Sequence, residues 1–176
     1  IRQVDHSPEQ PMAGETTVIT AKVTDPDGVG SVIVEVQSVA PGAYVPAFLA
    51  KTTAVLRSQP NAPWTPNPAY EQNWVSYEMK DDGSGLDESA GDGVYTAAIS
   101  GKVSRTLVRY RITVTDSLGA EQRVPYDDDP KLNFAYYHYD GVPEYVAATR
   151  SVLGAPHTYS AETMGSVPSY HVLTTA

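Results

Sequence analysis

The chain contains no cysteine, which removes disulfide staples, thiolate metal centres and thiol nucleophiles together. Basic residues are scarce and dispersed: 12 Lys and Arg stand against 21 Asp and Glu, and no two basic residues are adjacent. Phosphate recognition draws on clustered Lys and Arg, so nucleic acid is not an expected partner. No apolar run approaches the ~20 residues of a membrane-spanning helix, so no membrane span is expected. The sequence opens Ile1-Arg2-Gln3 without an initiating Met, and no charged segment followed by an apolar stretch marks a secretion signal. The expectation is a piece cut from a longer chain, and the absence of cysteine is compatible with export from a bacterium. Catalytic signatures are missing as well. There is no Gly-x-Ser-x-Gly elbow, no His-Glu-x-x-His and no Walker-type loop.

The chain is rich in turn formers and tyrosine, with 14 Pro, 13 Gly and 12 Tyr against two Phe. That balance favours short strands joined by turns. Alternation supports it. Residues 17–24 place Ile19, Ala21 and Val23 on one face; residues 31–39 do the same with Val32, Val34 and Val36. The Asp25-Pro26-Asp27-Gly28 turn between them gives the appearance of a hairpin. Further strands are expected at 74–79 (Val75, Tyr77, Met79), 94–100 (Tyr95, Ala97, Ile99), 106–115 (Val108, Tyr110, Ile112, Val114) and 122–126. These inward residues form the expected core. Six to eight short strands with turns between them predict an all-β, antiparallel sandwich. Residues 43–55 are expected to hold one or two strands. Four prolines between Pro60 and Pro68 then predict an extended surface loop.

Beyond Asp127-Asp128-Asp129-Pro130 the character changes. Residues 133–139 suit a last strand on the sandwich edge, and residues 141–165 are polar and punctuated by Pro and Gly. A weak helical pattern covers Pro143 to Leu153, and Val167 to Thr174 reads as a strand without a later partner. The expected division is a sandwich over 1–140 and a linker or tail over 141–176 that leads toward a further domain. A tail packed on the sandwich would use Tyr145, Val146, Val152 and Leu153.

Several segments carry a family resemblance: Val4-Asp5-His6-Ser7-Pro8, Met79-Lys80-Asp81-Asp82-Gly83 and Gly91-Asp92-Gly93-Val94-Tyr95-Thr96-Ala97. Others are Val108-Arg109-Tyr110-Arg111-Ile112, Val124-Pro125-Tyr126-Asp127-Asp128-Asp129-Pro130, Asn133-Phe134-Ala135-Tyr136 and Asp140-Gly141-Val142-Pro143. Together they resemble the immunoglobulin-like, fibronectin type III-like domain that precedes the catalytic part of bacterial CotH-family proteins, the spore-coat-protein-H kinase-like family. The end, Val167-Pro168-Ser169-Tyr170-His171-Val172-Leu173, is similar to the first strand of that kinase-like domain. The resemblance implies an immunoglobulin-like sandwich in an exported protein at the cell envelope or outside the cell, with its catalytic domain downstream. None of the kinase's catalytic or metal-binding positions has a counterpart in this chain.

Three kinds of chemistry remain to be weighed. Calcium takes six to eight oxygens, which acidic loops supply, and Asp81, Asp82, Asp87 and Asp92 make the candidate site. Asp25, Asp27, Asp116 and Asp127 to Asp129 also fall in expected turns. The competing reading is that Asp-Gly is an ordinary turn dipeptide, and the segment from Asp81 to Gly93 misses the EF-hand spacing. Trp64, Tyr70 and Trp74 flank the proline-rich loop, with Tyr44 on the same excursion, and such rings stack on sugars. A Trp in a sandwich core is equally ordinary. Catalysis is the weakest option, because His6, His138, His157 and His171 are dispersed and the paired carboxylates Asp81/Asp82 and Glu88/Asp92 lie on Gly-rich loops. Tyr110 is expected to be a core anchor whose hydroxyl bonds to the backbone of a neighbouring loop.

The sequence thus predicts a non-catalytic accessory or spacer domain that positions a neighbouring domain of the same polypeptide, with no cofactor of its own. A surface protein or a glycan is the expected external partner. The alternative is an independent module that binds calcium or carbohydrate.

Overall fold

The computed structural model describes residues 1–147 and 157–168. It divides the chain into two compact units, Ile1–Tyr139 and Asp140–Ala176.

In the first unit, strands β1 (Arg2–Ser7), β2 (Thr17–Lys22) and β5 (Val94–Ile99) form one antiparallel sheet in the order β1-β2-β5. Strands β3 (Val29–Val39), β4 (Val75–Glu78), β6 (Leu107–Asp116) and β7 (Glu121–Val124) form the second, in the order β4-β3-β6-β7. Strand β8 (Phe134–Tyr137) also pairs with β6. β7 takes the stretch from Ile112 to Thr115 and β8 the stretch from Leu107 to Tyr110. One edge position is thus filled by two short strands with Pro125 and the Asp127–Asp129 run between them.

The core lies between the sheets. Ile19, Ala21 and Val23 meet Ala97 and Ile99 from the first sheet; Val32, Val34, Val36, Val108, Tyr110, Ile112 and Val114 come from the second. Alternate residues are buried from Thr17 to Ala21 in β2, from Val32 to Val36 in β3 and from Val108 to Val114 in β6, as a period of two requires for strands covered on one face. The all-β antiparallel sandwich expected from the sequence is the fold observed.

The structure revises several local readings. Strands β2 and β3 do not form a hairpin: β2 pairs with β1 and β5, whereas β3 pairs with β4 and β6. The turn between them is an arch from one sheet to the other. Asp25 Oδ1 accepts the Asp27 amide at 2.9 Å, and Gly28 follows with φ 92°, a conformation glycine adopts at no steric cost. The Ser117 amide then donates to the Gly28 carbonyl, tying the arch to the β6–β7 turn.

Val75 was expected in the core but is 54% exposed, and Tyr77 and Tyr95 are only partly buried. β4 is an edge strand, and the facing sheet is three strands wide, so it does not cover that edge. Immediately after β4, Lys80 crosses to the other sheet and exchanges two backbone hydrogen bonds with Thr96.

Residues 43–55 form no strand. An isolated bridge joins Phe48 to Pro66, and helix α1 (Thr53–Ser58) begins at Thr52, whose side chain accepts the Val55 amide. The proline-rich loop ends in helix α2 (Pro68–Glu71), capped by Asn67 with Pro68 in its first turn. Gly101 marks a close approach: a Cβ there would lie 2.2 Å from the Gly14 carbonyl carbon.

In the second unit, β9 (Tyr145–Val146) pairs with β10 (Thr158–Tyr159), and helix α3 (Ala161–Gly165) follows with Ser160 as its cap. Tyr145 and Val146 are therefore strand residues, not part of the helix expected from 143, and both are exposed. The remainder of that expected helix from 148, including Val152 and Leu153, lies outside the described residues. So do residues 169–174 of the expected terminal strand, and Val167 and Pro168 are not in a strand.

Candidate functional site

The acidic loop after β4 is organised by its carboxylates. Asp81 reaches across it: Oδ1 accepts the Gly91 and Asp92 amides at 2.7 and 3.2 Å, and Oδ2 accepts the Gly93 amide at 2.8 Å. Asp82 Oδ1 takes the Ser84 amide and hydroxyl at 2.9 and 2.6 Å. The Ser84 hydroxyl, followed by its amide, holds the Asp82 carboxyl below its ordinary value. Asp87 Oδ2 accepts the Gly83 amide at 2.6 Å, and Asp92 Oδ1 accepts the Val94 amide at 2.7 Å. Each of the four thus binds backbone of its own loop, the role that Asx residues play in turns.

Those four residues do not converge on one point. Among the described residues, the group of carboxylates within metal-ligating range of one another is Asp25, Asp27 and Asp116, with one oxygen each inside 4.8 Å. The arch and the β6–β7 turn bring them together. Asp116 Oδ1 already accepts the Leu118 and Ala120 amides, both at 2.8 Å. Asp-containing turns were evident in the sequence, but their pairing depends on the β2–β3 arch, which the hairpin reading concealed.

The three aromatic candidates do not form one exposed platform. Tyr70 is 5% exposed and donates from its hydroxyl to Asn133 Oδ1 at 2.6 Å. Burial raises its phenol above the ordinary value, with Arg109 and Arg111 pulling the other way. Trp74 is half-buried, edge-on to Tyr70, and donates from Nε1 to the Tyr70 carbonyl at 2.7 Å. Trp64 stands apart on the excursion and is 53% exposed, with Lys51 Nζ 4.3 Å over its ring. Tyr44 is exposed too.

Tyr70 and Trp74 instead pin the excursion onto the outer face of the β3–β6 pair. There Gln37 stands opposite Arg109, and Glu35 opposite Arg111. Gln37 Nε2 donates to the carbonyls of Tyr70 and Gln72 at 2.9 and 2.8 Å, while its Oε1 accepts from Arg109 Nη1 at 3.0 Å. Arg109 also donates to the Val45 carbonyl at 2.7 Å and lies over the Tyr70 ring. Arg111 bonds Glu35 Oε2 at 2.9 Å, approaches Glu71 and lies 4.2 Å over Trp74. Sequence reading missed Gln37, Arg109 and Arg111, because polar residues alternating with core residues suggest a solvated face. The signal was their position opposite Val34, Val36, Tyr110 and Ile112, beside an excursion rich in aromatics.

A second polar cluster sits at the edge of the core. Tyr110 is buried, and its hydroxyl meets His6 Nδ1 at 3.1 Å, so its partner is a side chain of β1 and not loop backbone as expected. Burial, and secondarily the Asp5 carboxylate and Tyr136, raise the Tyr110 phenol far above its ordinary value. His6 stacks on Tyr136, and Tyr136 meets His138 edge-on. His138 is fully buried, with Nδ1 2.9 Å from the Met12 carbonyl. Among the described residues, His138 Nε2 is buried here without a hydrogen-bond partner. Of the other histidines, His157 is exposed and His171 lies outside the described residues.

No protein-family model matches the chain, and no curated protein sequence does.

Proposed function

We propose that the chain is a non-catalytic accessory domain of a larger exported bacterial protein of the CotH-like type, holding a neighbouring domain at a set position. The observation that carries this reading is where the reactive side chains are spent. Asp81, Asp87, Gln37, Arg109, Arg111 and Tyr110 hold backbone or neighbouring side chains. Such use builds a rigid body. The strand orders β1-β2-β5 and β4-β3-β6-β7 match those of immunoglobulin-like sandwiches, which recur as modules of extracellular proteins. A stiff sandwich followed by a short second unit restricts where the next domain sits.

The test is an antiserum raised against the chain and applied to cells and culture fluid of the source organism. The expected result is an exported band well above 18.9 kDa. A band at that mass, or one confined to the cell interior, contradicts the reading.

The other reading is an independent calcium- or glycan-binding module, favoured by the approach of Asp25, Asp27 and Asp116 and by the exposed Trp64 ring. Melting in calcium and in chelator decides the first half. Ligand at 100 times its dissociation constant adds about 2.7 kcal/mol, a shift of several degrees, and unchanged melting removes calcium. Glycan binding falls if Trp64→Ala leaves polysaccharide retention unaltered.

A further inference from the structure

The excursion between β3 and β4 doubles back on itself. Its two arms pair where the Leu49 and Asn67 amides donate to the Thr65 and Ala47 carbonyls, both at 2.9 Å, and helix α1 lies at the far end. From Phe48 to Asn61 every residue but Lys51 is exposed, so the sandwich does not cover this finger. Phe48, Leu49, Val55, Leu56 and Trp64 are its exposed large apolar side chains. Phe48 and Leu49 are neighbours on a bridged arm and point to opposite sides. Val55 and Leu56 stand about 100° apart around α1. The apolar groups therefore surround the finger and do not make one flat face. Exposed apolar surface gathered in this way marks contact with another protein or with lipid.

Charge is the second, independent feature. No acidic residue occurs between Glu35 and Glu71, in a chain whose net charge is -9. The charged residues of the finger are Lys51 and Arg57, and neither forms an ion pair among the described residues. Lys51 Nζ donates to the Ala62 carbonyl and lies 4.3 Å over the Trp64 ring. Arg57 is exposed in the last turn of α1.

The two features together fit a partner that is anionic at its surface and apolar beneath. A protein that covers apolar groups on all sides of a finger needs a socket, whereas a fluid acyl layer surrounds them without one. Trp rings and the methylene stems of Lys and Arg settle at headgroup level, with aliphatic groups below. Helix α1 has six residues, far short of the ~20 that cross a bilayer, so the finger lies in the interface. At about 0.1 M salt, charges beyond about 10 Å are screened, so approach is governed by the charges nearest the lipid and not by the net charge of the chain. We propose that this finger inserts its apolar end into the surface layer of a membrane containing anionic lipid.

The test mixes the chain with vesicles of phosphatidylcholine and phosphatidylglycerol at about 0.1 M salt. It reads co-sedimentation and the quenching of tryptophan emission by brominated acyl chains. Saturable binding with quenching is expected, and binding about tenfold or more weaker on pure phosphatidylcholine. Arg57→Gln, an exposed change, is expected to weaken binding about fivefold, the effect of one basic side chain at an anionic surface. Leu56→Ser is expected to weaken it severalfold on both kinds of vesicle. Trp64→Phe is expected to remove the quenching while the chain still sediments with the vesicles, because Trp74 is held against Tyr70. Failure to bind, binding without quenching, quenching that survives Trp64→Phe, or full binding by the Arg57→Gln chain would overturn the proposal. Retention on immobilised polyglutamate with no binding to vesicles would overturn it too, and would make an acidic protein the partner of the finger.

Discussion

The two faces of the β3–β6 pair are covered by different chemistry. On the inner face Val32, Val34, Val36, Val108, Tyr110, Ile112 and Val114 are buried against the other sheet, and cohesion there is apolar burial. On the outer face Glu35, Gln37, Arg109 and Arg111 hold the excursion through hydrogen bonds to carbonyls and through guanidinium planes over Tyr70 and Trp74. Helix α1 buries none of its residues, and Val55, Leu56 and Phe48 remain exposed. The excursion is therefore attached at Val45 and around Tyr70 by directional polar contacts, with little core of its own. The same two strands thus serve a dense core and a polar anchorage.

That contrast ranks the expected effects of substitution. The largest belongs to the interior. Ile112→Ala, at a fully buried position, is expected to cost about 3–4 kcal/mol in denaturant unfolding, from lost transfer energy and a cavity. A loss under about 1 kcal/mol would mean that the interior is not close-packed. Gln37→Ala comes next. It removes the side-chain donor to the Tyr70 and Gln72 carbonyls and one acceptor of Arg109, which keeps the Val45 carbonyl, so about 2 kcal/mol is expected by the same measurement, despite the small volume removed. Tyr70→Phe removes only the hydroxyl that meets Asn133, and about 1 kcal/mol is expected.

Tyr110 sharpens the comparison from the inner side, where it is the polar exception. Its phenol is raised in the folded state, so the proton is held more tightly there than in the unfolded chain. The stability it contributes is complete below the ordinary tyrosine value near pH 10 and is lost as pH rises toward the folded value. At neutral pH, Tyr110→Phe loses only the contact with His6. Above about pH 10 the wild-type chain is expected to lose stability faster than the Phe variant, as read by melting temperature against pH. Parallel curves would show that Tyr110 titrates as an exposed phenol.

The contrast also marks what was legible in the sequence. The inner face was, because alternation of Val32, Val34 and Val36 or of Val108, Tyr110, Ile112 and Val114 has one physical explanation in a half-covered strand. Strand β1 was not: it is an edge strand of mixed polarity in which only Val4 and His6 are half-buried. The β2–β3 arch was not, since Asp-Pro-Asp-Gly satisfies a hairpin or a sheet crossing equally well, and only the pairing of β2 with β5 decides between them. Tyr70 and Trp74 were noticed as aromatics but not as anchors, because their partners Arg109 and Arg111 lie more than thirty residues away. The acidic loop was correctly located as a turn. Which backbone amides its carboxylates bind follows from the fold of the loop.

The claim at the centre of this comparison is that the outer anchorage is separable from the core. Native-state hydrogen exchange on the wild-type and Tyr70→Ala chains tests it most directly. The Leu49, Asn67 and Tyr70 amides, which bond Thr65, Ala47 and Asn67 within the excursion, report on the anchorage. The ladder between β3 and β6 reports on the core. The expected result is that Tyr70→Ala speeds exchange at the excursion amides by local opening while the ladder keeps its protection. Equal loss of protection in both places would contradict the claim and make the excursion part of one cooperative core.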